Sequence, residues 1–431
     1  MPQPHTLQIE GTVSPEFESV KDLFARQMHT MAERQAQLCV YHRGQRVVDL
    51  WADTTGEGGY DADSIANVFS SGKSLEAIAV AWLVDRELLQ YSHPIIEYWP
   101  EFGTNGKAEL TVADLMRHEA GLASFDTSID MQDLFRENIK QNAIGQLIEQ
   151  QSPRYTSTDG SKREYHALTR GWIVNELFRR VDPQQRTIGE FLQEEISGPL
   201  QVDVMIGVPD EQRTKVIPVK PLTIGYQLRQ SLVPKFMGRP VMQNGFHLSR
   251  RLLRVLLLLR SGGKNGPPPP FSNTTNAMEF FSHPDWITGE TPSANANCSA
   301  RGLAKIAAMM AAGGTFAERQ YLSERAWNAM HEHPQEATMG KLLTTRFTQG
   351  GVDQYQPTTA NSGYLERAFN QGREGFVGWM GFGGSIFQWH PELDIGFAFV
   401  PTSLHVLDLL NERGKRYQAE VLRCVHQVAA A

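Results

Sequence analysis

A serine three residues ahead of a lysine can do acyl-transfer chemistry, and the chain carries such a pair in Ser70-Ser71-Gly72-Lys73. On a helix, positions i and i+3 share one face, so the two side chains can touch. A serine hydroxyl is a weak nucleophile until a base takes its proton. Lysine serves as that base only when its pKa falls well below the usual ~10.4, which burial and a nearby positive dipole end bring about. Ser70 stands where the helix begins, so its own N–H lacks a helical partner and can hold an oxyanion.

The helix that must position this pair is apolar nearly all round. Leu75, Ile78, Ala79, Trp82 and Leu83 follow the amphipathic template, while Ala77, Val80 and Ala81 fill the opposite face. Such a helix belongs in the middle of a protein. A lysine on it must be paired or neutral, because a lone buried charge costs several kcal/mol. A second copy of the spacing, Ser261-Gly262-Gly263-Lys264, lies among Gly and Pro, where a helical i, i+3 geometry is not expected. Gly72-Lys73-Ser74 does not make a phosphate loop, since Asn67 stands where the first glycine belongs. Neither a Gly-x-Ser-x-Gly elbow nor a His-Glu-x-x-His helix occurs. His331 and His333 read as solvated histidines on a polar turn rather than as a metal site. The chemistry calls for no cofactor and no metal.

Composition narrows the class. Of 431 residues, 41% are apolar and 21% charged, and the formal charge is −7. This is an ordinary balance for a globular protein with a large core, and it argues against nucleic acid or an anionic membrane as partner. The three cysteines, Cys39, Cys298 and Cys424, are far apart and odd in number, so no disulfide framework follows. The first residues have no charged start followed by an apolar core. The longest apolar run, Ala77 to Val84, is far short of the ~20 residues that span a bilayer. The expected address is cytoplasmic, and the oligomeric state is left open.

The remaining elements follow from periodicity. Residues 16–34 predict a helix, and 37–42 and 45–51 around Arg43-Gly44 a β-hairpin. Helices are expected over 111–117, 131–151 and 165–181, with Leu168, Trp172, Ile173, Leu177 and Val181 on the inner side of the last. A basic amphipathic helix is expected over 248–260, followed by a Gly/Pro loop at 262–270. Ser299 caps a helix over 300–312 that Gly313-Gly314 ends. A second hairpin, 385–389 with 395–400, and a closing helix over 407–428 complete the chain. Strands at both ends with helices between them predict an α+β fold: one antiparallel sheet drawn from both termini, flanked by helices, with a mostly helical insertion. The expected partition is an α/β domain of residues 1–75, about 191–220 and 291–431. A helical domain covers about 76–190, and a variable, lid-like insertion about 221–290.

Several motifs in order carry a family resemblance. Ser70-Ser71-Gly72-Lys73, Tyr98-Trp99-Pro100-Glu101-Phe102, and Leu115 through Leu122 (Leu-Met-Arg-His-Glu-Ala-Gly-Leu) resemble the serine β-lactamase-like superfamily. Family VIII carboxylesterases and their class C β-lactamase relatives are the nearest likeness. Tyr165-His166-Ala167 through Trp172 resembles the family's tyrosine motif, and Gly378-Trp379-Met380-Gly381 its third motif on an edge strand. The resemblance implies a β-lactamase/penicillin-binding-protein-like fold. It also implies that Tyr165 shares the proton of Ser70 with Lys73 and later activates water. Tyr155, which also precedes the same helix, is the rival tyrosine. The amide of Phe382 would pair with that of Ser70 as oxyanion donor, although Gly383-Gly384 leaves this register open. Trp379, Met380 and Gly381 would line the substrate. His118 reads as a helix-end or core histidine, and Arg250, Arg251, Arg254 and Arg260 as a solvated lid face.

The departures matter as much. The β-lactamases of the family carry Tyr-x-Asn and Lys-Thr-Gly, whose amide and cation grip the substrate; here the positions hold Ala167 and Trp379-Met380-Gly381. Tryptophan cannot neutralise a carboxylate but can pack an acyl or alcohol group. Both losses favour a neutral small-molecule ester, cleaved through an acyl-Ser70. The alternatives are a β-lactamase or D-amino-acid peptidase on the same scaffold, and a catalytically idle binding protein.

Overall fold

The computed structural model describes residues 7–155, 163–249, 267–272, 279–339 and 343–430. Its sheet has nine strands. β1 (Ile9–Val13), β2 (Gln35–His42) and β3 (Gln45–Asp53) come from the N-terminal part. β4 (Gln335–Met339), β5 (Leu343–Phe347), β6 (Asp353–Gln354), β7 (Val377–Met380), β8 (Ile386–His390) and β9 (Ile395–Pro401) come from the C-terminal part. The order is β1-β3-β2-β9-β8-β7-β6-β5-β4, and every pairing is antiparallel. The two chain ends meet where β2 pairs with β9, from Ala36↔Pro401 to His42↔Ile395. This is the α+β sheet that the sequence predicts.

The period of two along the strands sorts the core into two layers. Ala36, Leu38 and Val40 of β2 join Phe397 and Phe399 of β9 on one face; Cys39, Tyr41, Ala398 and Val400 lie on the other. The first face is covered by α1 (Glu18–Thr30) and the closing helix, which spans Glu412–Ala430. The second carries the helix Ala300–Ala311 and α2 (Lys73–Asp85). Every residue of α2 from Lys73 to Val84 is buried, as its all-round apolar pattern requires. It lies between β7 and the helical part of the chain, packed against the helices Thr169–Val181 and Glu324–His331.

Four helix boundaries differ from expectation, each for a local reason. The first helix runs from 18 to 30, because Pro15 opens a separate 3₁₀ turn, Pro15–Phe17, before it. The 131–151 stretch is three pieces, Met131–Leu134, Arg136–Lys140 and Ala143–Gln150. Phe135 is extended, and Asn142 sits in the left-handed region at φ 67°, which asparagine tolerates better than most residues. The 165–181 helix begins only at Thr169, since the backbone of 164–167 is engaged elsewhere: Glu164 N donates to His118 O, and His166 N to His118 Nδ1. The closing helix starts at Glu412, where Asp408 accepts from the amides of Glu412 and Arg413. The solvated reading of His331 is also wrong. Its Nε2 accepts from the Trp389 indole (3.0 Å), its Nδ1 lies 2.7 Å from Trp327 O, and burial lowers its pKa to about 4. Most of the 248–260 segment, with its arginines 250, 251, 254 and 260, and the second Ser-x-x-Lys copy at 261–264 lie outside the described residues. No helix among the described residues is long and apolar enough to cross a membrane.

Helix and sheet come close together at Gly396. A Cβ there would overlap Ala308 N and Ala304 O of the helix Ala300–Ala311. Gly396→Ala therefore overpacks a backbone-to-backbone contact. The expected loss is about 1–3 kcal/mol, read as a lowered midpoint in chemical or thermal unfolding; an unchanged midpoint refutes this account of the layer packing.

Candidate active site

Ser70 sits in a 3₁₀ turn, Phe69–Gly72, that leads straight into α2 at Lys73. In such a turn residues i and i+3 eclipse, so the Ser70 hydroxyl and the Lys73 amine face one another. Phe69 enters the turn with a positive φ of 48°, a strained conformation for a bulky residue, and the Asn67 side chain holds it by accepting from its amide (2.8 Å). Gly72 is required by close approach: a Cβ would come within 2.5 Å of Pro292 O. That contact brings the 292–296 backbone against the start of α2. A short sheet of Ala66–Asn67, Asn297–Cys298 and Val204–Met205 holds the same segments together.

Lys73 is buried to 1% exposure, and Ser70 is half-buried. The Lys73 Nζ donates to Ala167 O (2.8 Å) and Ser293 O (3.0 Å) and lies 3.4 Å from Ser70 Oγ. Burial pushes its pKa well below the ordinary lysine value; Glu76 pulls it back up and Arg170 pushes it further down. A neutral amine has two hydrogens and one lone pair. With both hydrogens given to carbonyls, the lone pair is left for the Ser70 hydroxyl. The carbonyls of Ala167 and Ser293 left no mark in the sequence reading, because any residue type supplies a carbonyl.

Tyr165, and not Tyr155, reaches this cluster. Its ring centroid is 4.8 Å from Lys73 Nζ, and the Trp379 indole N–H donates to its hydroxyl (2.9 Å). Burial raises its pKa to about 12, against the pull of hydrogen bonds with Ser70 and Trp379 and the charge of Arg170. Tyr165 therefore keeps its proton at neutral pH. His118 packs beside it, ring centroids 4.9 Å apart, and is held neutral by burial and by the charge of Arg170.

The third motif is pinned to α2. Trp379 N donates to Ser74 Oγ (3.1 Å), Ser385 Oγ donates to Val68 O (2.6 Å), and Ser71 Oγ and Ser385 Oγ are 3.1 Å apart. The Trp379 ring is only 4% exposed and packs on Phe347 and Tyr165. Met380 turns its sulfur to Arg373 (3.3 Å), whose guanidinium also donates to Leu410 O and Asn411 O, so its side chain points into that core and not to Ser70. The amides around the turn are engaged: Phe69 N on Asn67 Oδ1, Ser71 N on Val68 O, and Gly381 N on Ser385 O. Among the described residues no protein group accepts from the amides of Ser70 and Phe382.

Behind the amine lies a buried ion pair. Arg170 Nε donates to Glu76 Oε2 at 2.8 Å, both side chains being fully buried. Its other nitrogens donate to Lys73 O (3.0 Å), Met116 O (2.9 Å) and Gly351 O (3.3 Å), tying the helix Thr169–Val181 and the segments at 116 and 351 to α2. Burial raises the Glu76 carboxyl and the arginine opposes it. Breaking one side of such a pair costs about 3–5 kcal/mol. For Glu76→Gln the expected result is destabilisation of that size in denaturant unfolding. The negative charge that favours protonated Lys73 also goes, so any activity that needs the neutral amine rises at lower pH in the variant than in the parent. A limb that moves to higher pH contradicts this electrostatic account.

The chain is similar to known proteins over nearly its whole length. The family model described as Beta-lactamase matches residues 20–420. The Mycobacterium tuberculosis protein described as esterase/beta-lactamase LipL is 29% identical over 412 residues, spanning 92% of this chain and 83% of its own. In structure the chain is similar to a family VIII carboxylesterase (TM-score 0.74, 23% identity, 97% of this chain and 100% of the other). It is likewise similar to a penicillin-binding protein homologue from Caulobacter crescentus (TM-score 0.73, 22% identity, 97% and 100%). A D-amino acid amidase from Ochrobactrum anthropi shares the fold at TM-score 0.57 and 15% identity, over 96% of this chain and 99% of its own.

Proposed function

The chain belongs to the beta-lactamase family, and on that premise we propose that it is a serine carboxylesterase working through an acyl-Ser70. One observation carries the reading: the two carbonyls of Ala167 and Ser293 occupy the hydrogens of a buried amine whose remaining valence faces Ser70 Oγ.

The steps follow from the protonation states. Ser70 Oγ bonds to the ester carbonyl carbon as its proton passes to neutral Lys73. The amides of Ser70 and Phe382 hold the oxyanion. Tyr165, still protonated, gives its proton to the departing alcohol oxygen and recovers one from Lys73, and the C–O bond to the alcohol breaks. Water then enters beside Tyr165 and gives up a proton by the same relay in reverse. It bonds to the acyl carbon and releases the acid with Ser70 restored. In this reading Tyr165 acts as acid before it acts as base, which suits a phenol pushed up to about 12.

The choice of an ester rests on the third motif. A β-lactam or D-amino-acid peptide presents a carboxylate, and Trp379 stands where a cation would bind it. The name of the M. tuberculosis relative joins esterase and β-lactamase, so a weak β-lactamase activity belongs to the same proposal. The substrate is a small, neutral ester of short acyl length.

Incubation with p-nitrophenyl butyrate, nitrocefin and a D-alanyl peptide, alongside Ser70→Ala, decides among the readings. The expected result is ester turnover that is lost in Ser70→Ala, with an acyl adduct on the intact parent protein by mass. Preference for nitrocefin or the peptide points to the β-lactamase or peptidase alternative; no turnover and no adduct points to an idle scaffold. The rate kcat/KM is expected to rise with pH as Lys73 loses its proton, with the limb well below pH ~10.4 because burial lowers that pKa. Trp379→Phe keeps the ring and removes the N–H. With Tyr165 less well held and its pKa higher still, kcat should fall roughly 10- to 100-fold at nearly constant KM, a part of the ~10²–10⁴-fold that a positioned acid or base supplies. A rise in KM at constant kcat would instead make Trp379 a substrate contact.

A further inference from the structure

Ser70 stands between two unlike walls. On one side are the groups that move protons, Lys73, Tyr165 and the Trp379 indole N–H. On the other, around Phe69, the described residues form a cluster of rings. Phe69, the residue before the nucleophile, meets Phe281 edge-on at 4.8 Å and 90° and Phe382 at 5.8 Å and 73°. Phe281 and Phe382 face each other at 6.1 Å and 35°. Both are half-buried, whereas Phe69 beneath them is 2% exposed. Behind Phe281 the floor continues as Phe280 (4.1 Å) and Trp286 (6.2 Å), both buried. No ring of this set pairs with Tyr165, whose ring neighbours among the described residues are His118 and Trp379.

Chemistry assigns the two walls. The alcohol oxygen needs a proton as it leaves, so it must depart beside Tyr165. The carbonyl oxygen must point to the amides of Ser70 and Phe382. The third substituent of the carbonyl carbon is the acyl chain, and the side left for it carries Phe382 and Phe281. We infer that this ring-lined face is the acyl subsite, that it takes apolar acyl groups and arylacetyl groups in particular, and that Phe281 is the residue that sets this selectivity. The inference rests on the acyl-Ser70 reading above. Two half-buried rings at a fixed tilt offer an aromatic acyl group both an edge and a face, the arrangements that ring pairs prefer. They offer a charged acyl group nothing to replace its water. Because Phe281 is braced from behind by Phe280 and Trp286, and Phe382 by Phe69, the subsite is formed before substrate arrives, so little ordering is lost on binding.

The test uses the full-length protein and two ester series. In the first, the leaving group is p-nitrophenol and the acyl group runs through acetyl, butyryl, hexanoyl and phenylacetyl. In the second, the acyl group is acetyl and the alcohol runs through p-nitrophenol, phenol and 1-naphthol. In the parent, kcat/KM should rise along the first series until the subsite is full, by roughly fourfold for each buried methylene. In Phe281→Ala the phenylacetate-to-acetate ratio of kcat/KM should fall at least tenfold, while the ratios along the alcohol series stay as in the parent. Phe281→Leu, which keeps apolar volume, should hold the hexanoate ratio and lose the phenylacetate one; it also serves if the alanine variant does not fold. Parallel acyl profiles in parent and variants, or a change confined to the alcohol series, overturn the assignment. Turnover that survives in Ser70→Ala overturns the acyl-serine reading itself, whatever Phe281 does.

Discussion

The site depends on a lysine amine placed where it cannot comfortably be an ammonium. Lys73 starts a helix that is buried from end to end, and at 1% exposure its amine has lost the water that would hold a charge. The fold replaces that water with two backbone carbonyls and, among the described residues, no carboxylate in direct contact. The nearest acid, Glu76, is engaged by Arg170. A carboxylate bonded to Nζ would keep the amine protonated; two neutral carbonyls orient it and leave its basicity open.

That arrangement makes demands well beyond Lys73. The Ser293 carbonyl reaches the amine only because Gly72 lets the 292–296 backbone close in. The Ala167 carbonyl is available only because 164–167 is not helical, and His118 holds it so by taking the hydrogen bonds of Glu164 N and His166 N. Arg170, at the start of the next helix, ties α2 to Met116 and Gly351 through backbone carbonyls. The ion pair with Glu76 is best understood in this light. A buried pair adds little net stability over an apolar substitute, but it fixes geometry and leaves a positive charge near the amine.

The third motif joins the sheet to this machinery. Trp379 donates through its backbone to Ser74 on α2 and through its side chain to Tyr165, so one residue sets the distance between the helix that carries Lys73 and the phenol. Indole is a donor only. The Tyr165 oxygen must accept that bond, which leaves its own proton free to point toward Ser70. The expectation that Trp379, Met380 and Gly381 form the substrate face is thereby redistributed. Met380 packs into the core around Arg373 and Trp379 holds Tyr165, so in the proposed reading the substrate face passes to the rings beside Ser70.

The Ser70–Lys73 pair, its burial and the antiparallel sheet built from both termini were legible in the sequence, because side-chain type and periodicity report directly on them. An unbroken apolar run that follows both helical faces can only be a buried helix, and a lysine at its start stands out. The order of motifs likewise pointed to Tyr165. Helix starts at 169 and 412 were less legible, since each is set by a side chain elsewhere that captures the backbone, His118 in one case and Asp408 in the other. What only the tertiary structure decided is the electrostatic state of the amine and the character of the wall facing it. Both are made by groups distant in the chain: the carbonyls of 167 and 293 around Lys73, and the rings of 281 and 382 beside Ser70. A carbonyl carries no residue identity and a phenylalanine carries no address, so their convergence exists only once the chain has folded.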